Sequence, residues 1–282
     1  MRFPAPLLRR SDGRAVARPI ADGAGHHIHV HSFLGTFDSS MLSEQSGTST
    51  RSQKSASNHV VAGRRYGHLI RLKPEYQERY IALHAHPFPG LIRQLRASGL
   101  RNYSIFLHDD MLFSFYEYVG DDYAADMEAI AENDTVQDWW TLTDPMQTSL
   151  GPDDSDQWWT PIQELWHGGE KTVATSDSQL NAQVTILRNG ALKSLHEVYS
   201  EVGPDLEAAL EEAHVQNYTV FGWQEQLHTY FEYTGGHFAD DYRRLRASSV
   251  MQQLQRELSR AHAEGAIESR KEVDTEPVFF MR

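Results

Sequence analysis

The 282-residue chain contains no cysteine, which excludes disulfides and thiolate chemistry and fits a reducing, cytoplasmic setting. Positive charge is also scarce: 26 Lys and Arg against 39 Asp and Glu give a net charge of −13. This balance argues against binding to nucleic acid or anionic membranes and otherwise favours solubility. No apolar run approaches the roughly 20 residues needed to span a bilayer. The Arg-rich start lacks the apolar core of a signal peptide.

Several catalytic motifs are missing as well. The sequence has no glycine-rich phosphate loop. It also has no nucleophile-elbow context from which to assign a Ser-His-Asp arrangement. A histidine-rich segment, His26 to His31, resembles the first metal ligands of amidohydrolases. Those enzymes need a full barrel with further ligands, and no such barrel fits in this part of the chain. We therefore predict that the protein has no metal site.

What the chain does contain is an internal repeat. The segment 102–106 (NYSIF) returns as 217–221 (NYTVF), and 116–118 (YEY) returns as 231–233 (FEY), both at a spacing of 115 residues. The same spacing relates further pairs: Leu112 and Leu227, Gly120 and Gly235, Asp126 and Asp241, Leu165 and Phe280, Trp166 and Met281. A fixed internal period indicates one folding unit used twice.

The repeat divides the chain. Residues 1–62 include a stretch rich in Ser, Thr, Gln and Asn and are predicted to be a disordered or low-complexity tail. The first repeat is assigned to 63–167, a linker to 168–182 and the second repeat to 183–282.

Each repeat reads as strand, helix, strand, strand, helix, strand. We expect prolines to break the first helix of each repeat, at Pro87 and Pro89 and again at Gly203-Pro204. Residues 238–262 are predicted to form one helix, and 160–166 the fourth strand of the first sheet. This order is the ferredoxin-like βαββαβ pattern. The predicted fold is α+β, with two such repeats packed sheet to sheet as an intrachain dimeric α+β barrel. Two such chains could pair further.

Two groups of residues in the first repeat could carry chemistry. Tyr80 and His84 are four residues apart and share a helix face, and histidine titrates near neutral pH. They form either a proton-transfer site or a half-buried polar stripe. Adjacent Trp139 and Trp140 point in different directions on a helix, which favours a pocket wall for a sugar or ring. The alternative is one core tryptophan beside one partly exposed. The pair at 158–159 could be a second aromatic rim or a loop anchor.

These residues belong to a longer pattern. In order, it comprises 72–84 (LKPEYQERYIALH), 88–91 (FPGL), 102–107 (NYSIFL) and 138–140 (DWW). Together the four motifs resemble the L-rhamnose mutarotase family over about residues 65–167. The resemblance implies a dimeric α+β barrel without a metal or organic cofactor. It also implies that the protein is an isomerase whose partner is a monosaccharide. Such an enzyme interconverts the α and β anomers of L-rhamnose or a similar 6-deoxy sugar.

The resemblance also implies roles for matched positions. His84 matches the catalytic histidine, a proton donor, and Tyr80 the tyrosine one turn before it. Trp139 and Trp140 match the paired tryptophans that line the sugar pocket. The family usually shows His-Asn-Pro after this helix, whereas the chain has His-Ala-His-Pro at 84–87.

The second repeat lacks all four of these residues. At the matched positions it has Leu195, Tyr199, Leu254 and Gln255. We therefore expect a single site in the first repeat, with the second repeat as its structural partner. Two other functions stay open at this point: a non-catalytic sugar-binding or interaction protein, and a cofactor-free monooxygenase on a related barrel. Retention of all four residues in the first repeat argues against the monooxygenase.

Overall fold

The computed structural model describes residues 63–151, 158–169, 178–261, 273–275 and 277–281. The predicted tail, its histidine-rich segment and most of the predicted linker lie outside these residues. Among the described residues no helix is long and apolar enough to cross a membrane. The domain boundaries assigned from sequence stay a prediction.

The first repeat contains β1 Arg64–Leu72, α1 Gln77–Ala85, α2 Pro89–Ala97, β2 Leu100–His108, β3 Met111–Tyr118, α3 Tyr123–Ala131, α4 Asp134–Thr143, β4 Gln147–Thr148 and β5 Thr160–Gly168. Short 3₁₀ turns precede α1 and follow α4. The second repeat contains β6 Gln179–Ile186, α5 Ala191–Glu212, β7 Val215–Trp223, β8 Gln226–Tyr233, α6 Phe238–Ala247, α7 Ser249–Ala261, β9 Val273–Thr275 and β10 Pro277–Met281.

The strands form one antiparallel sheet in the order β10-β2-β3-β1-β5-β7-β8-β6-β9, with β4 added to β1. Strands β9 and β10 follow each other along the chain, separated by residue 276 alone. The two ends of the sheet are therefore joined, and the sheet forms a nearly closed barrel. This arrangement confirms the predicted α+β fold with two ferredoxin-like repeats in one chain.

The last strand of each repeat is shared between the two halves. The start of β5 pairs with β1 of its own repeat, and the rest pairs with β7 of the second repeat. In the same way β9 pairs with β6, whereas β10 pairs with β2 of the first repeat. Each half of the barrel is therefore completed by a segment of the other repeat, an exchange that the sequence analysis did not predict.

The predicted register of this last strand is wrong by two residues. Gly168 pairs with Tyr218 and Met281 pairs with the equivalent Tyr103, so counterparts here are 113 residues apart. Trp166 therefore corresponds to Phe279 and not to Met281. A shift of two residues leaves every side chain on its original face of the sheet. The strand can therefore absorb a difference in loop length between the repeats.

Two helix predictions also need correction. The first helix of the second repeat, α5, runs without a break through Pro204. Only one proline stands there, and Gly203 before it has no Cβ to clash with the proline ring in the helical conformation. Residues 238–262 are divided at Ser248, whose hydroxyl accepts a bond from the Met251 amide at 3.3 Å and caps α7. Asn133 caps α4 at the equivalent position of the first repeat.

Several repeated residues are explained by one corner of the fold. The Tyr118 hydroxyl donates to Asp126 at 2.5 Å, and the Tyr233 hydroxyl donates to Asp241 at 2.6 Å. A Cβ at the glycine two residues after either tyrosine would lie 2.4 Å from that hydroxyl. Glycine is therefore required at both positions, which accounts for the repeated Tyr-x-Gly and aspartate pattern.

The other repeated motif joins the two halves. Asn102 and Asn217 both adopt left-handed backbone angles, with φ of 54° and 53°. The Asn102 amide donates to Glu232 at 2.5 Å, and the Asn217 amide donates to Glu117 at 2.8 Å. Each repeat therefore bonds the glutamate of the other. Beside these bonds lies the barrel interior, formed by Leu69, Phe106, Phe113, Phe115, Ile162, Ala182, Phe221 and Tyr230.

Candidate active site

The site predicted in the first repeat lies outside the barrel wall, where α1, α2 and α4 cover strands β2 and β10. Its lining residues are His84, Leu91, Leu95, Tyr103, Trp139, Trp140 and Phe279. The cavity between them has a volume of about 10 Å³, which is room for about one water molecule. Three of the four predicted site residues thus line one cavity. The fourth, Tyr80, is completely buried behind it and stacks on His84 with ring centroids 3.9 Å apart.

The prolines after the first helix place His84 at this cavity. Helix α1 ends at Ala85, and α2 begins at Pro89, so the histidine lies in the last turn of α1. Phe88 between the helices has ψ of 129° and packs its ring edge-on against Trp139, with centroids 5.3 Å apart. The break between the helices therefore places Phe88 against Trp139, one of the residues that line the cavity.

The hydrogen bond of His84 fixes its tautomer. The ring Nδ1 lies 2.9 Å from the Tyr80 carbonyl oxygen, which can only accept a hydrogen bond. Nδ1 therefore carries the proton, and the other nitrogen, Nε2, is the basic one. Nε2 has no hydrogen-bond partner among the described residues. Burial lowers the pKa of His84 to about 3, so the imidazole is neutral at physiological pH.

The two tryptophans form much of the cavity wall. Trp139 is buried and meets the His84 ring edge-on, with centroids 5.0 Å apart. Trp140 is 9% exposed, and its indole nitrogen also lacks a partner among the described residues. A buried polar group normally has a hydrogen-bond partner. The cavity walls are therefore apolar, and two of the lining residues each carry a buried polar atom, without a partner among the described residues, that a ligand could reach once the wall opens.

Behind the cavity, a buried polar chain reaches Tyr80. The Gln147 amide donates to the Tyr80 hydroxyl at 3.3 Å, and the Trp158 indole donates to the Gln147 oxygen at 3.3 Å. Trp159 packs into the core of the first repeat. The tryptophan pair at 158–159 therefore anchors this loop to the first repeat.

Three site residues were missed by the sequence analysis. Tyr103 belongs to the repeated 102–106 motif, which was interpreted as scaffold. Phe279 could have been identified only by aligning the last strands of the two repeats at a spacing of 113 residues, which matches it to Trp166. It comes from the second repeat, and its ring lies 5.4 Å from Tyr103 and 5.8 Å from His84, centroid to centroid. Gln147 lies on a strand of two residues, for which no sequence signal exists.

The equivalent position in the second repeat is filled. Trp166 stacks on Tyr199 and meets Tyr218 edge-on, with centroids 6.0 Å apart in both cases. A Cβ at Gly203 would lie 3.0 Å from the indole nitrogen, and one at Gly168 would lie 2.2 Å from the indole ring. The two glycines therefore leave the room that the indole occupies. Phe88 and Met281 are their counterparts in the first repeat.

No group of three or more metal-binding side chains that could hold an ion occurs within the described ranges. The histidine-rich segment at 26–31 lies outside those ranges.

Comparison with known proteins identifies the family of the chain. The family model for L-rhamnose mutarotase matches residues 65–168 and again residues 181–281. The chain belongs to the L-rhamnose mutarotase family. It is 31% identical over 94 residues to an L-rhamnose mutarotase of Ligilactobacillus salivarius, covering 32% of this chain and 85% of the relative. The relative of that name from Burkholderia orbicola is 38% identical over 87 residues, covering 30% of this chain and 79% of the relative.

A solved structure shares this fold. A proposed monooxygenase from Fusobacterium nucleatum is 10% identical with a TM-score of 0.50, covering 79% of this chain and 96% of that chain. This likeness concerns the fold alone. An L-rhamnose mutarotase from Formosa agariphila is 26% identical with a TM-score of 0.30, covering 36% of this chain and 96% of that chain.

Proposed function

We propose that the chain is an aldose mutarotase that interconverts the α and β anomers of L-rhamnose or a similar 6-deoxy sugar. We place its single active site in the first repeat. The observation that carries the proposal is the neutral His84, whose basic Nε2 lacks a partner and whose side chain lines an aromatic cavity. The filled equivalent position in the second repeat supports a single site, and membership of the family supports the reaction.

The reaction needs one proton to leave the anomeric hydroxyl, O1, and one to reach the ring oxygen, O5. His84 accepts the O1 proton at Nε2 while the bond between C1 and O5 breaks. Because O1 and O5 are attached to the same carbon, the imidazolium can then donate that proton to O5. Rotation about the bond between C1 and C2 exposes the other face of the aldehyde. The same steps in reverse close the ring, so no proton is gained or lost.

The surroundings of His84 suit this role. The bond from Nδ1 to the Tyr80 carbonyl holds the ring in one tautomer and orientation. Aromatic side chains offer flat apolar surfaces for the C–H face of a sugar ring. The cavity of about 10 Å³ is smaller than a monosaccharide, so its wall must move when sugar binds. Trp140 and Phe279, at 9% and 6% exposed, are the lining residues nearest the surface, and we infer that the site opens between them.

Saturation-transfer NMR measures the exchange of anomers directly. We expect exchange on L-rhamnose above the uncatalysed rate, with L-fucose as the comparison sugar. His84→Ala should abolish catalysed exchange, because no neighbouring side chain replaces Nε2. Tyr199 stands at the matched position of the second repeat, so Tyr199→Ala should leave the rate intact. Tyr199→Phe serves as a milder control, since truncating a buried tyrosine costs several kcal/mol of stability.

Two outcomes would contradict the proposal. Absence of exchange on either sugar by the folded wild-type protein would exclude mutarotation of these substrates. Tight binding of the sugar without exchange would instead support a non-catalytic sugar-binding protein. Circular dichroism of each variant shows whether a lost rate reflects lost folding.

A further inference from the structure

The buried chain behind the cavity contains three side chains that the proposed reaction does not yet use. Gln147 is 2% exposed on β4, where it pairs with Leu72 of β1. Its amide nitrogen lies 3.3 Å from the Tyr80 hydroxyl, and its amide oxygen lies 3.3 Å from the Trp158 indole nitrogen. Tyr80 in turn stacks on His84. The chain therefore connects the loop after α4 to the residue against the catalytic imidazole.

The chemistry of these groups gives the chain a direction. An indole N–H can only donate, so the oxygen of the Gln147 amide must face Trp158. The NH₂ group of the same amide then faces Tyr80, and it too can only donate. The Tyr80 oxygen is therefore the acceptor of this bond. Its own hydrogen must point away from Gln147, so the hydroxyl is left as a donor.

We propose that Gln147 is a positioning residue of the mutarotase reaction, which keeps the Tyr80 hydroxyl oriented as a hydrogen-bond donor for a sugar that enters the opened site. The inference rests on the proposed function. Trp158 prevents the Gln147 amide from rotating, because a rotated amide would place its NH₂ group against the indole N–H, and both groups can only donate. A donor next to His84 would stabilise the negative charge that develops on a sugar oxygen during ring opening.

Three further observations support this role. Burial raises the pKa of Tyr80, and the bond from Gln147 opposes that rise, which makes the hydroxyl a better donor than burial alone would leave it. Tyr103 lines the cavity, and burial raises its pKa. A charge on Tyr80 would raise the pKa of Tyr103 further, because the two residues lie close together. In the second repeat, Leu195 stands at the position of Tyr80. The hydrogen-bonded series from Trp158 to Tyr80 therefore has no counterpart in the repeat that lacks His84.

The test compares Gln147→Met, which keeps the length of the side chain but not its N–H donor, with a matched variant. Gln183 provides the match: its amide donates to the Tyr242 hydroxyl at 2.7 Å in the second repeat. We expect Gln147→Met to lower kcat for anomer exchange about tenfold, the value of one hydrogen bond in the transition state, with little change in KM. Gln183→Met loses the same kind of bond and should leave both constants unchanged.

A double-mutant cycle separates positioning from mere structural support. If Gln147 acts through the tyrosine hydroxyl, Gln147→Met should have no further effect on kcat in a Tyr80→Phe background. Gln147→Glu adds a pH readout: an ionised carboxylate accepts from Trp158 but also draws the Tyr80 hydrogen to itself. Its kcat should therefore be low near neutral pH and recover in acid as the carboxyl group becomes protonated.

The possible failures are distinct. Wild-type protein without exchange would overturn the proposed function and this inference with it. Exchange by the wild type, with unchanged kcat in Gln147→Met or an undiminished loss in the Tyr80→Phe background, would overturn the inference alone. An equal loss in Gln183→Met would also overturn it, since the effect would then follow from stability.

Discussion

Phe279 provides the most direct test of whether the second repeat completes the site of the first. The residue belongs to β10 of the second repeat, yet it lines the cavity with His84. Truncation to alanine removes a side chain that is 6% exposed and should cost about 3 kcal/mol of stability. If the ring covers about 40 Å² of apolar sugar surface, its loss weakens binding by about 1 kcal/mol. KM should then rise about fivefold, while kcat should change little because His84 stays in place.

Trp166→Ala is the matched control, because Trp166 holds the equivalent position at a spacing of 113 residues. It contacts Tyr199 and Tyr218, away from the histidine, so its truncation should lower stability without changing KM or kcat. Urea titration gives the stability of both variants, and saturation-transfer NMR over a range of L-rhamnose concentrations gives both constants. The reasoning fails if KM is unchanged in Phe279→Ala, or if Trp166→Ala raises KM equally.

Two predictions concern pH. Burial holds the pKa of His84 at about 3, so the neutral, basic form persists as pH falls, and kcat/KM measured by NMR should stay nearly level from pH 7 to 5. A decline centred near pH 6.5 would contradict this. Burial likewise lowers the pKa of His68 and His228 to about 3. Below the unfolded value of about 6.5 the unfolded chain binds protons that the folded one does not, so stability falls with pH. Burial also lowers the pKa of His167 to about 4. The four histidines together should remove about 5 kcal/mol per pH unit between pH 6 and 4 in urea titrations, and His68→Gln should reduce that slope by about a quarter.

The internal repeat, which could be predicted from the sequence, rests on local structural constraints that occur once in each half. The tyrosine-aspartate corner appears at Tyr118 and again at Tyr233 with a glycine two residues later, because the hydroxyl leaves no room for a Cβ. Asn102 and Asn217 recur because both adopt left-handed backbone angles where the strand register shifts, and both bond the opposite half. Such constraints act within a short segment or between identical segments, so a fixed spacing of 115 residues reveals them.

The features that were missed depend on how distant segments meet. The shift in β10 follows from loop length, and it decides that Phe279 rather than Met281 faces the site. Gln147 is defined by two long-range bonds, to Tyr80 and Trp158, whose spacing follows no helix or strand period. The part of the site that could be predicted from sequence therefore consists of the residues on helices, namely His84 on α1 and the two tryptophans on α4.

Because both barrel halves belong to one chain, each half can accept substitutions that the other half does not carry. In a dimer of identical chains, the same sequence position of the last strand would contribute to both sites. A substitution at that position would therefore change both sites. Here that residue is Phe279 at one site and Trp166 at the other. The second cavity holds the larger indole, with Gly203 and Gly168 providing space, while the first keeps a smaller ring beside His84. Because the two pockets are now encoded by different sequence positions, the second could be filled by a larger side chain that adds stability without closing the first to a sugar.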